Sequence, residues 1–296
     1  MNCSAFKQVD VFTSERFKGN ALAVVLDAEG LADADMQRIA AWTNLSETAF
    51  VLPPSRGADY RVRIFTPRSE LPFAGHPSVG TAHALLEAGH IAPSDHLIQE
   101  CAAGLLPVRV VGEGSERRVF VRAPRARMDP PAAAITAAVT RALSRAPAGA
   151  HPPRVANNGP DWLICDLGDE AAVRTLRPDM TALERLSAET GSIGISVFGR
   201  AAGSEYRLVV RAFAPADGVP EDPVTGSANA AIGAYLLATG QIDAIGATYR
   251  VSQGREIGRD GYVDVCVDAA SGEVEIGGRS ITSIDGMLAL PVRGDG

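Results

Sequence analysis

The stretch Phe73-Ala74-Gly75-His76-Pro77-Ser78-Val79-Gly80-Thr81-Ala82-His83 reads as the opening of a helix onto something small and polar. Pro77 suits a first helical position, which makes His76 the N-cap, a place where Ser, Thr, Asp or Asn normally sits. Behind it Val79, Ala82, Leu85 and Leu86 recur at helical spacing. One side of the helix is therefore buried, while its first turn points unpaired N–H groups outward, and such an end attracts anions.

Outward from this stretch the chain repeats itself. Strands are expected at 5–12 and 21–26, then a helix over Asp33–Thr43 with Met36, Ile39 and Ala40 on one face, ending at Asn44, a residue tolerant of the left-handed conformation. Strands at 48–52 and 60–66 precede the helix opening at His76. Gly89 closes that helix, and strands follow at 96–101, 105–111 and 118–122. The Ala-, Pro- and Arg-rich stretch 123–153, with a short helical piece at Ala133–Arg145, reads as a linker. Past it the order returns: strands at 154–158 and 161–166, a helix at 179–190, strands at 193–198 and 205–213, a helix from Pro223 to Thr239, and strands near 247–252, 262–267 and 273–276.

The letters repeat as well. Arg63-Ile-Phe-Thr-Pro67 leads to Gly75–His83, and Arg211-Ala-Phe-Ala-Pro215 leads to Glu221-Asp-Pro-Val-Thr-Gly-Ser-Ala-Asn229. Laid together, His76 faces Asp222, Pro77 faces Pro223, Gly80 faces Gly226, Thr81 faces Ser227 and His83 faces Asn229. A duplicated α+β domain is the simplest cause, and two copies related by a pseudo-two-fold would bring two helix N-termini to one cleft. The domains are expected at 1–124 and 125–296. The strand-like segment 279–292 either ends the second or returns to the first.

Composition narrows the function classes. At 296 residues the chain is comfortable for two domains, and 46% hydrophobic with 21% charged residues argues against disorder. A net charge of -7 offers neither a nucleic-acid surface nor a polybasic membrane patch, so small molecules are the expected partners. Cys3, Cys101, Cys165 and Cys266 show no C-x-x-C spacing, which encodes neither a zinc knuckle nor a disulfide framework. With no apolar h-region at the start and no run of membrane-spanning length, the cytoplasm is the default address.

Asp before Pro is a routine cap, so Asp222 alone says little, but a histidine has small capping reason to hold the matching place. The pair suggests an acceptor and a donor facing one ligand, with Gly75, Gly80 and Gly226 allowing close backbone approach or serving helix packing. Glu47 lies in a short loop between a helix and a strand. It is a surface carboxylate, a helper for a neighbouring N–H, or a base, and the second copy offers Gly194 in its place. His76 and His83 lie two helical turns apart, too far along the axis to chelate one ion, so no metal is expected. No phosphate-loop or dinucleotide glycine motif appears.

Asn44-Leu-Ser-Glu-Thr48, Glu70-Leu-Pro-Phe-Ala-Gly-His-Pro77 and Glu221-Asp-Pro-Val-Thr-Gly-Ser-Ala228 together resemble the signatures of the PhzF family, the phenazine biosynthesis-like isomerases, over Phe6 to roughly Gly258. The resemblance implies the diaminopimelate epimerase-like fold: two similar domains, each a sheet or barrel wrapped around a central helix, with the active site between them. Epimerases and racemases of that fold place a cysteine at each helix opening. His76 and Asp222 are expected at those places here, which speaks against a cysteine-dependent racemase. By resemblance, Glu47 is the acid/base of a cofactor-independent isomerisation of a substrate like 2,3-dihydro-3-hydroxyanthranilate. Ser46, His76 and Asp222, with the backbone of Gly75, Gly226 and Ser227, would hold the carboxylate, amino and hydroxyl groups. A homodimer is implied too.

Three departures touch the ligand walls: Gly19-Asn20-Ala21 where relatives often read Gly-Asn-Pro, Gly258-Arg259-Asp260-Gly261 where Gly-Arg-Pro-Ser is usual, and the run Ala228-Asn229-Ala230-Ala231. They leave open a second class, a ligand-binding or protein-interaction module that keeps the site without turnover.

Overall fold

Half-buried alternation at the start of the chain gives way to continuous burial wherever a strand is covered on both faces, and this pattern builds the strands. The computed structural model describes residues 3–55, 57–148, 151–203 and 205–290. It divides into two compact units, Met1–Arg122 with Gly277–Gly296, and Ala123–Ile276.

In the first unit β1 (Cys3–Val11) runs antiparallel to β2 (Asn20–Val25), and α1 (Asp33–Thr43) carries the chain to β3 (Glu47–Leu52), parallel to β2. β4 (Tyr60–Phe65) returns antiparallel to β3 and turns into the two-residue β5 (Glu70–Leu71). Then comes α2 (Gly75–Ala88), followed by β6 (His96–Cys101), β7 (Gly104–Val111) and β8 (Arg118–Arg122). Every residue of α2 from Gly75 to Leu86 is buried, which makes it a central helix rather than a surface one. Gly80 allows this closeness: a Cβ there would lie 2.6 Å from Leu22 Cδ2 and 2.7 Å from Val11 Cγ2.

The second unit begins with β9 (Arg127–Met128) and α3 (Ala133–Leu143), then repeats the order with β10 (Arg154–Asn157), β11 (Asp161–Asp169), α4 (Glu170–Arg174), α5 (Met180–Thr190), β12 (Gly194–Arg200), β13 (Leu208–Ala214) and β14 (Val219–Asp222). Its central helix is α6 (Gly226–Ala238). The short α7 (Ile242–Ile245) follows, then β15 (Thr248–Gln253), β16 (Gly261–Val267) and β17 (Val274–Gly278), whose last two residues belong to the first unit. The stretch expected to be a linker is not one throughout. Ala138, Val139, Ala142 and Leu143 form one face of α3 and join the core made by Leu163, Val173, Leu183 and Phe213. A helix with such a stripe buries it. Finally β18 (Ser280–Ala289) pairs antiparallel with β1, so the strand-like C-terminal segment belongs to the first unit; Pro291 and Val292 lie outside the described residues.

Two α+β units, each a sheet around a buried helix, match the expected fold class. The register of the repeat differs from the one the letters suggest. Ile64 pairs with Leu71 across β4 and β5, while Ala212 pairs with Asp222 across β13 and β14, so Asp222 corresponds to Leu71 and not to His76. The helices agree: α2 starts at Gly75 and α6 at Gly226. At their far ends His90 N–H donates to Leu85 O at 3.0 Å and Gln241 N–H to Leu236 O at 2.9 Å. His76 therefore matches Ser227, and Ser78 matches Asn229.

Candidate functional site

Glu47 owes its place to the way α1 stops. Asn44 adopts a left-handed conformation, φ 54°, and its N–H still reaches Ala40 O, after which Leu45 and Ser46 turn the chain straight into β3. The hydroxyls of Thr43 and Thr48 meet at 2.9 Å and pin the two ends of this link. Glu47 is thus the first residue of β3, opposite Leu22, with half-buried Ser46 beside it.

Helix α2 delivers the second group. Its N-cap is Ala74, so His76 is the second helical residue and Pro77 the third, rather than cap and first residue. Pro77 is tolerated because no N–H in the first turn has an intrahelical partner, and the first such bond runs from Ser78 N–H to Ala74 O. As a helical residue His76 is 5% exposed. Its Nδ1 comes within 3.0 Å of Glu47 Oε2, off the line that a hydrogen bond needs. Glu47 Oε2 and His76 Nε2 are both sealed from solvent with no hydrogen-bond partner among the described residues. Each such group costs about 1–3 kcal/mol, so two on touching side chains mark a place kept for something other than stability.

His83, on the same helix, serves elsewhere. Its Nε2 lies 3.5 Å from Thr282 Oγ1 and 3.9 Å from Glu87 Oε1, beside the buried Lys7 that pairs with Glu87 and Asp285. Burial pushes the His83 imidazole down to about 4, against the counter-pull of Glu87.

In the second unit Asp222 ends β14 and is not a helix cap, because α6 begins only at Gly226 with Thr225 as N-cap. The link between them is held by Gln253, 1% exposed. Its Nε2 donates to Asp222 O at 3.1 Å and Thr225 Oγ1 at 2.9 Å, and its Oε1 accepts from Thr225 N–H and the Asn229 amide. Upstream, Arg211 forks onto both oxygens of Glu221 at 2.9 and 2.8 Å, as Arg63 forks onto Glu70 in the first unit. Buried Gly226 and half-buried Ser227 open α6, and Trp162 Nε1 donates to Ser227 Oγ at 3.0 Å.

Glu47 and His76, with Ser46 and Gly75, therefore gather in one unit, and Asp222, Gly226 and Ser227 in the other. Sequence reasoning missed Gln253, Trp162 and Asn158, whose only sequence signals are a polar residue ending a strand and the turn Asn157-Asn158-Gly159-Pro160. At the place of Glu47 the second unit has Gly194, first residue of β12 and opposite Trp162. A Cβ there would fall 2.1 Å from Phe213 O, so no side chain fits.

Residues 9–286 match the family model described as phenazine biosynthesis-like protein. Among curated proteins the chain is 37% identical over 291 residues to Antisense-enhancing sequence 1 of Schizosaccharomyces pombe, covering 95% of this chain and 97% of that one. It is 36% identical over 290 residues to trans-2,3-dihydro-3-hydroxyanthranilate isomerase of Pseudomonas fluorescens, covering 95% and 98%. The crystal structure of a PhzF-family phenazine biosynthesis protein from Bacillus anthracis superimposes with a TM-score of 0.85 at 28% identity, over 98% of this chain and 100% of that one. A hydroxyproline epimerase from Agrobacterium vitis, 16% identical with a TM-score of 0.61 over 98% and 94%, shares the fold alone. Among the described residues no helix is long and apolar enough to cross a membrane.

Proposed function

The chain belongs to the PhzF family and is an isomerase of that type, and we propose that it moves one proton within a small amino- or hydroxy-carboxylate, using Glu47 as its single acid/base and no cofactor. The observation that carries this reading is the contact of Glu47 Oε2 with His76 Nδ1 at 3.0 Å, each side chain keeping a sealed polar atom without a partner. Glu47 takes a proton from a substrate carbon. The electron pair of that C–H bond spreads through the adjoining unsaturated system, and the Glu47 carboxyl group so formed, whose proton exchanges with solvent, gives a proton back at another carbon. Atoms and electrons balance within the substrate.

His76 holds the ligand against the carboxylate, and Ser46, Gly75, Asp222, Gly226 and Ser227 supply further substrate contacts. Helix N–H groups favour the negative charge that develops as the C–H bond breaks. That Gly194 has no room for a side chain supports a single carboxylate base, since the second unit admits no counterpart of Glu47. A substrate like trans-2,3-dihydro-3-hydroxyanthranilate follows from the similar isomerases. A homodimer belongs to the same proposal, to be checked by light scattering against the chain mass of 30.9 kDa.

Incubation with trans-2,3-dihydro-3-hydroxyanthranilate in D2O is expected to give product carrying deuterium, and Glu47→Gln to slow this by roughly 10²–10⁴-fold. Isomerisation at the wild-type rate in Glu47→Gln would overturn the assignment. A second reading, binding without turnover, is favoured by the fission-yeast relative, whose name describes no isomerase. Tight binding without C–H exchange across a panel of small carboxylates would establish it.

A further inference from the structure

Ser227 has a hydroxyl whose two roles are already half decided. The indole N–H of Trp162 is a donor only, so Ser227 Oγ must accept there, at 3.0 Å. Its own hydrogen has no acceptor among the described residues and is left to point away from the indole. Trp162 is 3% exposed, so its ring is fixed by packing and the direction of that hydrogen with it. Beside the hydroxyl, the N–H groups of Gly226, Ser227 and Ala228 stand ahead of the first intrahelical bond of α6, from Asn229 N–H to Thr225 O.

A second side chain points independently to a ligand. Asn158, 3% exposed, donates its amide Nδ2 to Ser227 O at 2.8 Å. That acceptor settles the amide orientation, because the flipped amide would set two oxygens against each other. The opposite end of the same planar group, Oδ1, is buried and accepts no hydrogen bond among the described residues. It lies one amide width from the first turn of α6, so a donor brought to that turn reaches it.

We propose that Trp162 and Asn158 set the substrate specificity of the α6 opening: Trp162 orients Ser227 as a donor to a carboxylate, and Asn158 Oδ1 receives an N–H or O–H borne next to that carboxylate. Trp162 acts through Ser227 and is a positioning residue. The ligand class is a carboxylate with a neighbouring amino or hydroxyl group. This inference rests on the reading of the α6 opening as substrate-holding.

Calorimetric titration of the full chain with two probes tests it. The first is 3-hydroxyanthranilate, which has carboxylate, amino and hydroxyl groups; the second is 2-aminophenol, the same ring without the carboxylate. The wild type is expected to bind the acid at least about 10-fold tighter than the phenol, as charge-assisted hydrogen bonds require. Ser227→Ala and Trp162→Phe should each weaken the acid by about 5-fold or more and leave the phenol within about twofold. The double variant should do no more than Ser227→Ala alone, because one residue acts through the other. Asn158→Leu should weaken both probes. Unfolding midpoints of each variant separate a lost fold from a lost contact. If Ser227→Ala weakens the acid and Trp162→Phe does not, or if their effects add, the role of Trp162 is overturned while the α6 reading stands. If neither variant changes binding of the acid, the α6 reading falls as well. Equal affinity of the wild type for the two probes, or no binding of either, overturns the carboxylate assignment.

Discussion

The openings of α2 and α6 occupy the same place in the same order of elements, yet they are built for different work. Each follows a short strand anchored by an Arg–Glu fork and starts at a buried glycine; α2 is capped by Gly89 and α6 by Thr239 with Gly240 next, and just beyond each the chain bonds back to the helix. In α2 the second residue is His76, pressed against Glu47, and Pro77 removes one of the first-turn N–H groups. In α6 the second residue is Ser227, already engaged by Trp162 and Asn158, and all three first-turn N–H groups remain. One opening is arranged around a carboxylate of the protein; the other has no such carboxylate at the matching place, and its first-turn N–H groups stand ahead of the first intrahelical bond. Duplication supplied the scaffold, and the asymmetry sits in the residues directly beside each helix start.

That asymmetry is enforced by space. Gly194→Glu would set a Cβ 2.1 Å from Phe213 O, so backbone must shift to admit it. The expected cost is about 3 kcal/mol or more, read as a fall in the urea midpoint. A Gly194→Glu variant of wild-type stability would break the comparison, since the second unit would then be free to carry a carboxylate of its own.

How far this was legible in the sequence depended on which force decided each element. Period and punctuation located α1 to the residue and most strands within one or two, because apolar stripes and left-handed caps are local signals. The helix openings were misplaced because a residue before Pro resembles a cap. His76 turned out to be helical, and Asp222 ends a strand held by Gln253 from β15. The letter match of Gly80 with Gly226 was equally deceptive: Gly80 is a packing glycine facing Leu22 and Val11, whereas Gly226 starts a helix. Both suit glycine for unrelated reasons, and only strand register tells them apart. The partnership of Glu47 with His76 could not be read from spacing, since it depends on β3 lying alongside α2.

A second difference lies along the helices and titrates. By the register that matches Gly75 to Gly226, His83 of α2 corresponds to Ala234 of α6. Burial holds the His83 imidazole at about 4, with Glu87 opposing and the charges of Arg117 and Lys7 adding to the effect. An unfolded histidine titrates near 6.5, so below that pH the unfolded chain gains protons that the folded one refuses. This stability is fully present above pH 6.5 and is lost as pH falls toward 4, on the order of 3 kcal/mol in all. His83→Gln should flatten the fall in unfolding free energy over that window. An unchanged pH slope would mean that the pH sensitivity does not come from the α2 histidine.

The smallest effect concerns the link that delivers Glu47. Asn44 ends α1 at φ 54°, and its counterpart Gly191 ends α5 at φ 69°, so the same left-handed turn is made by a residue with a Cβ in one unit and without one in the other. Asn tolerates this region better than other side chains, and glycine removes the strain at the expense of a looser unfolded chain. The two contributions oppose each other, so Asn44→Gly should move the unfolding free energy by less than about 0.5 kcal/mol, whereas Asn44→Ala, with a Cβ and no local hydrogen bonding, should lose about 1 kcal/mol. Exchange activity separates the two tasks of the turn. The Thr43 and Thr48 hydroxyls, 2.9 Å apart, hold both ends of the link independently of residue 44. Deuterium incorporation by Asn44→Gly should therefore stay within about threefold of wild type, an energy no larger than one weak hydrogen bond. A much larger loss at unchanged stability would show that Asn44 itself aims Glu47, and that the side chain was kept in the first unit for the carboxylate that the second unit lacks.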